Sequence, residues 1–262
     1  MRYLIKIAYD GTDFIGWQKQ ARGRSIQVIM EKALAQFTGK DTPLVAAGRT
    51  DTGVHALAQY AHFDYAGKMQ PQQILLAFKR WLPEDIKVLE ITEVDAELSA
   101  RYQAYERAYR YILTKDRTPF NRHNAGWIPH LKTRLAPMQA AAPRFLGSHD
   151  FSSFGRLNPE VPNHVCELKE LSISEDEHDF TFVFRADRFL HNMVRRIVGT
   201  LVNVSHFDLP PETIDHLLEQ KCSRQRLVLT APACGLFLID VKYPAELLDG
   251  RPCYKFDELF VR

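Results

Sequence analysis

Residues 47–56 read AGRTDTGVHA. Arg49, Asp51 and His55 fall within seven positions, among the turn-formers Thr50, Thr52 and Gly53. The apolar PLVAA (43–47) leads in and QYAHFDY (59–65) follows, so the loop joins two candidate strands. Three readings fit its aspartate. In a Thr-Asp-Thr-Gly run an Asp often closes a local turn. DTG is also the triplet of aspartic proteases, which need two such carboxylates sharing one proton. This chain has one DTG, so a dimer would have to supply the second, and a nearby cation favours ionisation of both carboxylates over the shared proton. The third reading is a lone ionised carboxylate that attacks an electrophilic carbon or stabilises charge in a partly dry cleft. Burial raises the pKa of such a group and a close arginine lowers it again; Arg49 can serve, or an arginine from elsewhere such as Arg195.

The chain has 262 residues, enough to bury a substantial core as one large domain or two closely fused lobes. Hydrophobic residues make up 45% and charged residues 25%, which is a globular composition. The formal net charge of +2 gives no global argument for nucleic acid, so any basic surface must come from local clustering. Cys166, Cys222, Cys234 and Cys253 lack CxxC spacing and no HExxH occurs. No metal site is therefore expected, and a reduced intracellular compartment is. The opening MRYLIKIAYDG is too short an apolar run for a signal peptide, with Lys6 and Asp10 interrupting it. Charges also break the longer apolar stretches, so no membrane span is expected and a cytoplasmic protein is.

Periodicity places the elements. Residues 2–9 form a first strand. Ser25 caps a helix to about Thr38, with Ile26, Ile29, Met30, Ala33, Leu34 and Phe37 as its apolar stripe and Gly39 at its end. A second helix covers 71–80 with Ile74, Leu75 and Phe78 inward. IKVLEITEV (86–94) and YRYILT (109–114) are strands, and PMQAAAPRFLG (137–147) is a short helix limited by Pro143. LKELSIS and FTFVFRAD make a hairpin across EDEHD. The most periodic segment is 189–204: Phe189, Leu190, Met193, Val194, Ile197, Val198, Leu201 and Val202 share one face, while His191, Arg195, Arg196 and Gly199 lie elsewhere. PETIDHLLEQ is a last helix with Pro211 in its first turn, and GLFLIDVKY a final strand. The order strand, helix, strand, strand, helix, strand occurs roughly twice, which suggests two similar α+β lobes sharing a sheet.

The loop AGRTDTGVHA resembles the signature loop of the bacterial TruA-type tRNA pseudouridine synthases, and the likeness runs along nearly the whole chain. YDGTDFIGWQKQ, RSIQ, LPEDI (82–86), YRYI (109–112), HDFSSF (149–154), FLHNMVRRIVGTL (189–201) and APACGLFLIDVKY (231–243) follow in the family's order. The resemblance implies the pseudouridine synthase fold: α+β, two related lobes sharing a mainly antiparallel central sheet flanked by helices, with a cleft between them. The lobes are expected at 1–104, carrying the catalytic loop, and 105–262, fused as one catalytic domain. It further implies isomerisation of uridine to pseudouridine at positions 38 to 40 of the tRNA anticodon stem-loop, a homodimer and no cofactor. Asp51 falls on the family's catalytic aspartate and Tyr109 on the tyrosine that packs against the target base. Arg49 falls on the arginine implicated in base flipping, and Arg195 on a basic residue that can pair with the aspartate. Lys79, Ser99 and Glu106 depart from the family's usual Asn, His and Lys; the first and last bear on RNA contacts.

This chemistry breaks the N1–C1′ bond, turns the uracil and joins C5 to C1′, with no redox step. The nucleotide has to leave the stem, at a cost of a few kcal/mol. Stacking on an aromatic face returns roughly 1–3 kcal/mol. Tyr109 and Tyr111 share one strand face, so spacing alone does not choose between them; the resemblance points to Tyr109. Asp51 either adds to C1′ or assists loss of the C2′ proton. Phosphate contacts are expected from some of Arg22, Arg24, Lys79, Arg80, Arg101, Arg107, Arg110, Lys115, Arg117 and Arg122.

Overall fold

The computed structural model describes residues 1–130, 132–156 and 163–257. In chain order its strands and helices are β1 (Arg2–Tyr9), α1 (Ile26–Thr38), β2 (Val45–Ala46), β3 (His55–Asp64), α2 (Pro71–Trp81), β4 (Ile86–Val94), β5 (Glu106–Thr114), α3 (Leu135–Ala141), β6 (Gly147–Asp150), β7 (Val165–Glu175), β8 (Asp179–Ala186), α4 (Met193–Phe207), α5 (Thr213–Glu219), β9 (Leu236–Lys242) and β10 (Cys253–Lys255). The class is α+β and the pairing mainly antiparallel, as the resemblance implies. Contacts divide the chain into Met1–Tyr105 with Leu238–Arg262, and Glu106–Phe237. The tail from Leu238 thus clusters with the N-terminal residues rather than with those it follows.

In the first unit β1 lies between β3 and β4, both antiparallel to it; β10 pairs with the far side of β4, and β9 neighbours β3. One face of this sheet is closed by α1 and α2 through aromatic edges. Tyr3 pairs across to Phe63, Phe78 of α2 meets Phe63 edge-on at 6.1 Å, and Phe37 of α1 meets Phe78 at 5.2 Å. Ile74, Leu75 and Phe78 are fully buried, so the sequence stripe faces the core. Helix α2 starts on a Gln70–Gln73 capping box with Pro71 in the first turn, and ends on Lys79 and Arg80, whose charge complements the helix dipole. At α1, Gly39 takes the left-handed φ of 72° that ends the helix. Ser25 occupies the cap position but makes no capping bond, which corrects the role expected of its side chain.

In the second unit the strand order is β5-β8-β7-β6. The β7–β8 hairpin turns on Asp176, whose carboxylate accepts the His178 and Asp179 amides at 2.8 Å. Phe180, Phe182 and Phe184 alternate into the core from β8. Three strands separate α3 from α4 here, against two between α1 and α2, so the two halves repeat the predicted order only in outline.

Helix α4 begins at Met193, not at Phe189. Asn192 adopts φ 64°, a left-handed conformation that asparagine tolerates and a continuing helix does not. The apolar period through Phe189 and Leu190 therefore continues into a turn: Leu190 packs against Gly155, and Phe189 against Tyr109. The side of α4 that carries Arg195 and Gly199 packs under a chain segment. Arg195, Gly199 and Asn203, spaced by four, form a stripe under residues 227–231. The Arg195 carbonyl accepts from the Ala231 amide at 3.1 Å and Asn203 Nδ2 donates to the Leu227 carbonyl at 2.9 Å. Between them a Cβ on Gly199 would lie 2.1 Å from the Leu229 oxygen. Helix α5 starts after Pro211, two residues later than expected, and β10 rather than β9 is the last strand. Among the described residues no helix is long and apolar enough to cross a membrane.

Gly199→Ala decides between two opposed effects. Helix propensity favours Ala by about 1 kcal/mol, whereas forcing a methyl against a backbone carbonyl costs about 1–3 kcal/mol. The clash is with backbone, so we expect net destabilisation, read as a thermal midpoint a few degrees below wild type.

Candidate active site

The loop that carries Asp51 is held by the YDGTDFIGW segment that follows β1. The Trp17 amide donates to the Thr50 carbonyl at 3.0 Å and the Gly53 amide to the Phe14 carbonyl at 3.2 Å. Thr52 Oγ1 donates to the Ile15 carbonyl at 3.1 Å, and the Val54 amide closes a turn on the Asp51 carbonyl at 3.1 Å. Gly53 supplies the left-handed φ of 74° within that turn. On the other side the Gly11 amide donates to His55 Nδ1 at 3.0 Å. An Asp10 oxygen lies 3.1 Å from the same nitrogen, but one ring nitrogen cannot accept from Gly11 and donate to Asp10 at once. The buried, directional backbone bond sets Nδ1 as the acceptor, and exposed Asp10 instead takes the Thr12 amide and hydroxyl. His55 is thus a structural residue of the loop's exit.

Backbone approach is the reason for the glycines. A Cβ on Gly16, whose φ is 101°, would lie 2.5 Å from the Thr50 oxygen and 3.0 Å from the Asp51 carbonyl carbon. A Cβ on Gly11 would lie 2.1 Å from the Val54 oxygen. The anchoring segment is braced in turn from the corner before β4. Arg24 forks onto Asp85 at 2.6 and 3.1 Å, its guanidinium covers the Phe14 ring at 4.2 Å, and the Asp10 amide donates to the Asp85 carbonyl. Arg24, one of the ten candidates for phosphate contact, is thus engaged with Asp85 of LPEDI.

The four expected site residues fall in both units. In the first, Asp51 is half-buried and Arg49 is exposed on the same loop. In the second, Tyr109 is half-buried on β5, opposite Phe184 and edge-on to Phe189 at 5.0 Å. Tyr111, two residues along, is fully buried and its hydroxyl donates to the Pro232 carbonyl at 2.8 Å. Gly126 and Gly235 make the space for that ring, and burial pushes its hydroxyl pKa up. Tyr111 is therefore a core residue, whereas Tyr109 is half-buried. Arg195, in the first turn of α4, donates from Nε to the Ala231 carbonyl at 2.7 Å and from Nη1 to Asn192 Oδ1 at 2.9 Å. Its guanidinium is oriented before any ligand arrives. Neighbouring Arg196 serves the fold: it donates to the Gly155 and Ser223 carbonyls at 2.9 and 3.0 Å, and desolvation lowers its pKa.

The basic residues divide in the same way. Arg107 donates to the Asp187 carbonyl and Lys115 pairs with Glu175 at 2.7 Å, so both hold the second unit together. Arg22, Arg80, Arg101, Arg117 and Arg122 are exposed. No cluster of three metal-ligating side chains occurs among the described residues. Three of the loop's four local anchors are backbone-to-backbone hydrogen bonds and the fourth is the Thr52 hydroxyl, so the loop backbone that carries half-buried Asp51 is held in place.

Gly16→Ala is expected to cost at least about 1–3 kcal/mol, since it adds left-handed strain to a backbone clash. Urea unfolding measures the loss, and faster hydrogen exchange at the Gly53 and Val54 amides would place it in this loop. Comparison with known proteins agrees with the geometry. A family profile described as tRNA pseudouridine synthase matches residues 5–103 and 141–244. A tRNA pseudouridine synthase A of Bacteroides fragilis is 40% identical over 95% of this chain and 98% of its own. Proteins of the same name from Bacteroides thetaiotaomicron (38%; 94% of this chain, 92% of the relative) and Neisseria meningitidis (39%; 93% and 92%) are similar over comparable lengths. With its signature loop anchored in place and the match spanning both units, the chain belongs to the tRNA pseudouridine synthase family.

Proposed function

We propose that this chain isomerises uridine to pseudouridine at positions 38, 39 and 40 of the tRNA anticodon stem-loop, with Asp51 as the catalytic carboxylate. Membership of the family makes it an isomerase of uridine in tRNA. The observation that supports the finer reading is the Asp51 loop, pinned through its backbone with Asp51 half-buried on it.

The roles follow from the chemistry. The target nucleotide leaves the stem, and Arg49, exposed beside Asp51, fills or braces the vacated place. Tyr109 offers its ring to the flipped uracil. Asp51 acts at the ribose, by addition to C1′ or by removal of the C2′ proton, while the N1–C1′ bond breaks. The base turns, C5 bonds to C1′, the C5 proton leaves and N1 is protonated, so the sum is an isomerisation. Arg195 stabilises the ionised carboxylate in this scheme. The enzyme is proposed to act in the cytoplasm as a homodimer and to need no cofactor.

Tritium release from tRNA carrying 5-³H-uridine tests the assignment, because C5 loses its hydrogen only when the new C–C bond forms. Wild type is expected to release tritium, and Asp51→Asn to fall by at least ~10³-fold while still binding tRNA. A folded wild type that binds tRNA without release would turn the reading to a binding module of the same fold. Affinity is expected to drop at least about a hundredfold between roughly 50 and 200 mM salt, as the exposed arginines release counterions from the RNA. A flat salt response, measured by filter binding, would remove those arginines from the interface.

A further inference from the structure

Asp51 sits between two residues that are tied to one segment. Thr50 oxygen takes the Trp17 amide, which fixes the peptide plane on the N-terminal side of Asp51. Asp51 oxygen takes the Val54 amide, which fixes the plane on its C-terminal side. One further contact acts on Thr50 through its side chain. Tyr9 Oη and Thr50 Oγ1 lie 2.7 Å apart in a buried hydrogen bond across 41 residues. Both residues are buried, and the Tyr9 ring already packs on Trp17 at 6.2 Å. A phenylalanine at 9 and a valine at 50 would fill the same volume, so packing accounts for the rings and methyls but not for the two hydroxyls. Buried hydroxyls are costly unless paired, and here each pairs with the other. What the pair adds is direction: it fixes the Thr50 side chain and with it the backbone that aims Asp51. Strand β1 provides for this. Its register against β3 shifts between Ile7 and Tyr9, an irregularity of the kind that re-aims a side chain beside an active site.

We propose that the buried Tyr9–Thr50 hydroxyl pair is a positioning element for catalysis, holding the Asp51 carboxylate in line with the ribose of the flipped nucleotide. This rests on the reading of Asp51 as the catalytic group. Neither hydroxyl touches substrate; both act through the Asp51 backbone.

The test compares Tyr9→Phe, Thr50→Val, the double variant and Thr50→Ser in the tritium-release assay. Rates are taken per folded protein, from thermal melts run beside the assay, and tRNA affinity is measured separately. Tyr9→Phe and Thr50→Val are each expected to lower kcat about 10- to 100-fold, as small misplacements of a reacting group do. KM and tRNA affinity should stay within about twofold, since ground-state binding is not involved. The double variant should be no slower than the poorer single one, because both remove the same bond. Thr50→Ser, which keeps the hydroxyl, should recover most of the loss seen in Thr50→Val. Wild-type kcat in both single variants, multiplied losses in the double variant, or losses matched by weaker tRNA binding would each overturn the proposal. Asp51→Asn run in parallel separates the two claims. If it still releases tritium, the assignment of Asp51 falls and this inference with it; if it is silent while Tyr9→Phe and Thr50→Val both run at the wild-type rate, the inference alone falls.

Discussion

The close approach of two backbones at Gly16 and Thr50 is the constraint on which the candidate site depends. No side chain fits there: a Cβ on Gly16 would lie 2.5 Å from a carbonyl oxygen, well inside any allowed contact. The same approach lets the Trp17 amide reach Thr50 and the Gly53 amide reach Phe14. A loop built this way is held through its backbone. It also explains why the first motif, YDGTDFIGW, carries two glycines five residues apart: Gly11 passes Val54 and Gly16 passes Thr50, one at each end of the loop. The Arg24–Asp85 fork then ties this anchoring segment to the corner before β4. Exposed ion pairs add little, but this one is bidentate and partly buried, and it orients a segment whose backbone has no strand to hold it.

The second unit uses the same device in helical form. Arg195, Gly199 and Asn203 are one turn apart in succession, and the segment 227–231 runs along them. Gly199 is small where the chain crosses, and the residues on either side of it supply the hydrogen bonds. Arg195 gains its orientation from that arrangement. A long guanidinium side chain loses about 2 kcal/mol of rotamer freedom when ordered, and here two hydrogen bonds to Ala231 and Asn192 order it during folding. The αL turn at Asn192 has a double role, since it both stops the helix and presents the oxygen that Arg195 binds.

Much of this was legible in the chain. The strands 2–9 and 86–94, both helices of the first unit and the 165–186 hairpin follow from apolar periodicity and turn residues, because in each the local pattern and the burial agree. The beginning of α4 was not legible, since Phe189 and Leu190 are half-buried ahead of the helix at positions that also fit a helical period. Periodicity records burial, not backbone conformation. The other side of α4 was not legible either: Gly199 and Asn203 face a chain segment, and nothing in a single sequence distinguishes that from water. Gly53 is legible as a turn residue, whereas Gly11 and Gly16 serve contacts with residues about 40 positions away. Such a requirement has no local signal. The short strand β10 was missed because three residues carry too little period.

Glu106 shows how far a residue's chemistry depends on what folds around it. As a sequence feature it is an acid where the related proteins are expected to carry a lysine, on the edge of a basic, tyrosine-rich stretch, and so a matter of RNA affinity. In the fold it is buried on β5, with Lys169 of β7 at 3.5 Å and Arg185 of β8 at 3.7 Å; Arg185 in turn holds Glu170 at 2.9 Å. A buried carboxylate is tolerated only when paired, and these two cations lie on the next two strands in the order β5-β8-β7. The acid at 106 and the bases at 169 and 185 are therefore one unit of charge balance across three strands. A lysine at 106 would bring a third cation to the same place and require a different pair of neighbours. The departure from the family pattern is thus accommodated locally, by strand partners, and it acts on the electrostatics of this sheet before it can act on RNA.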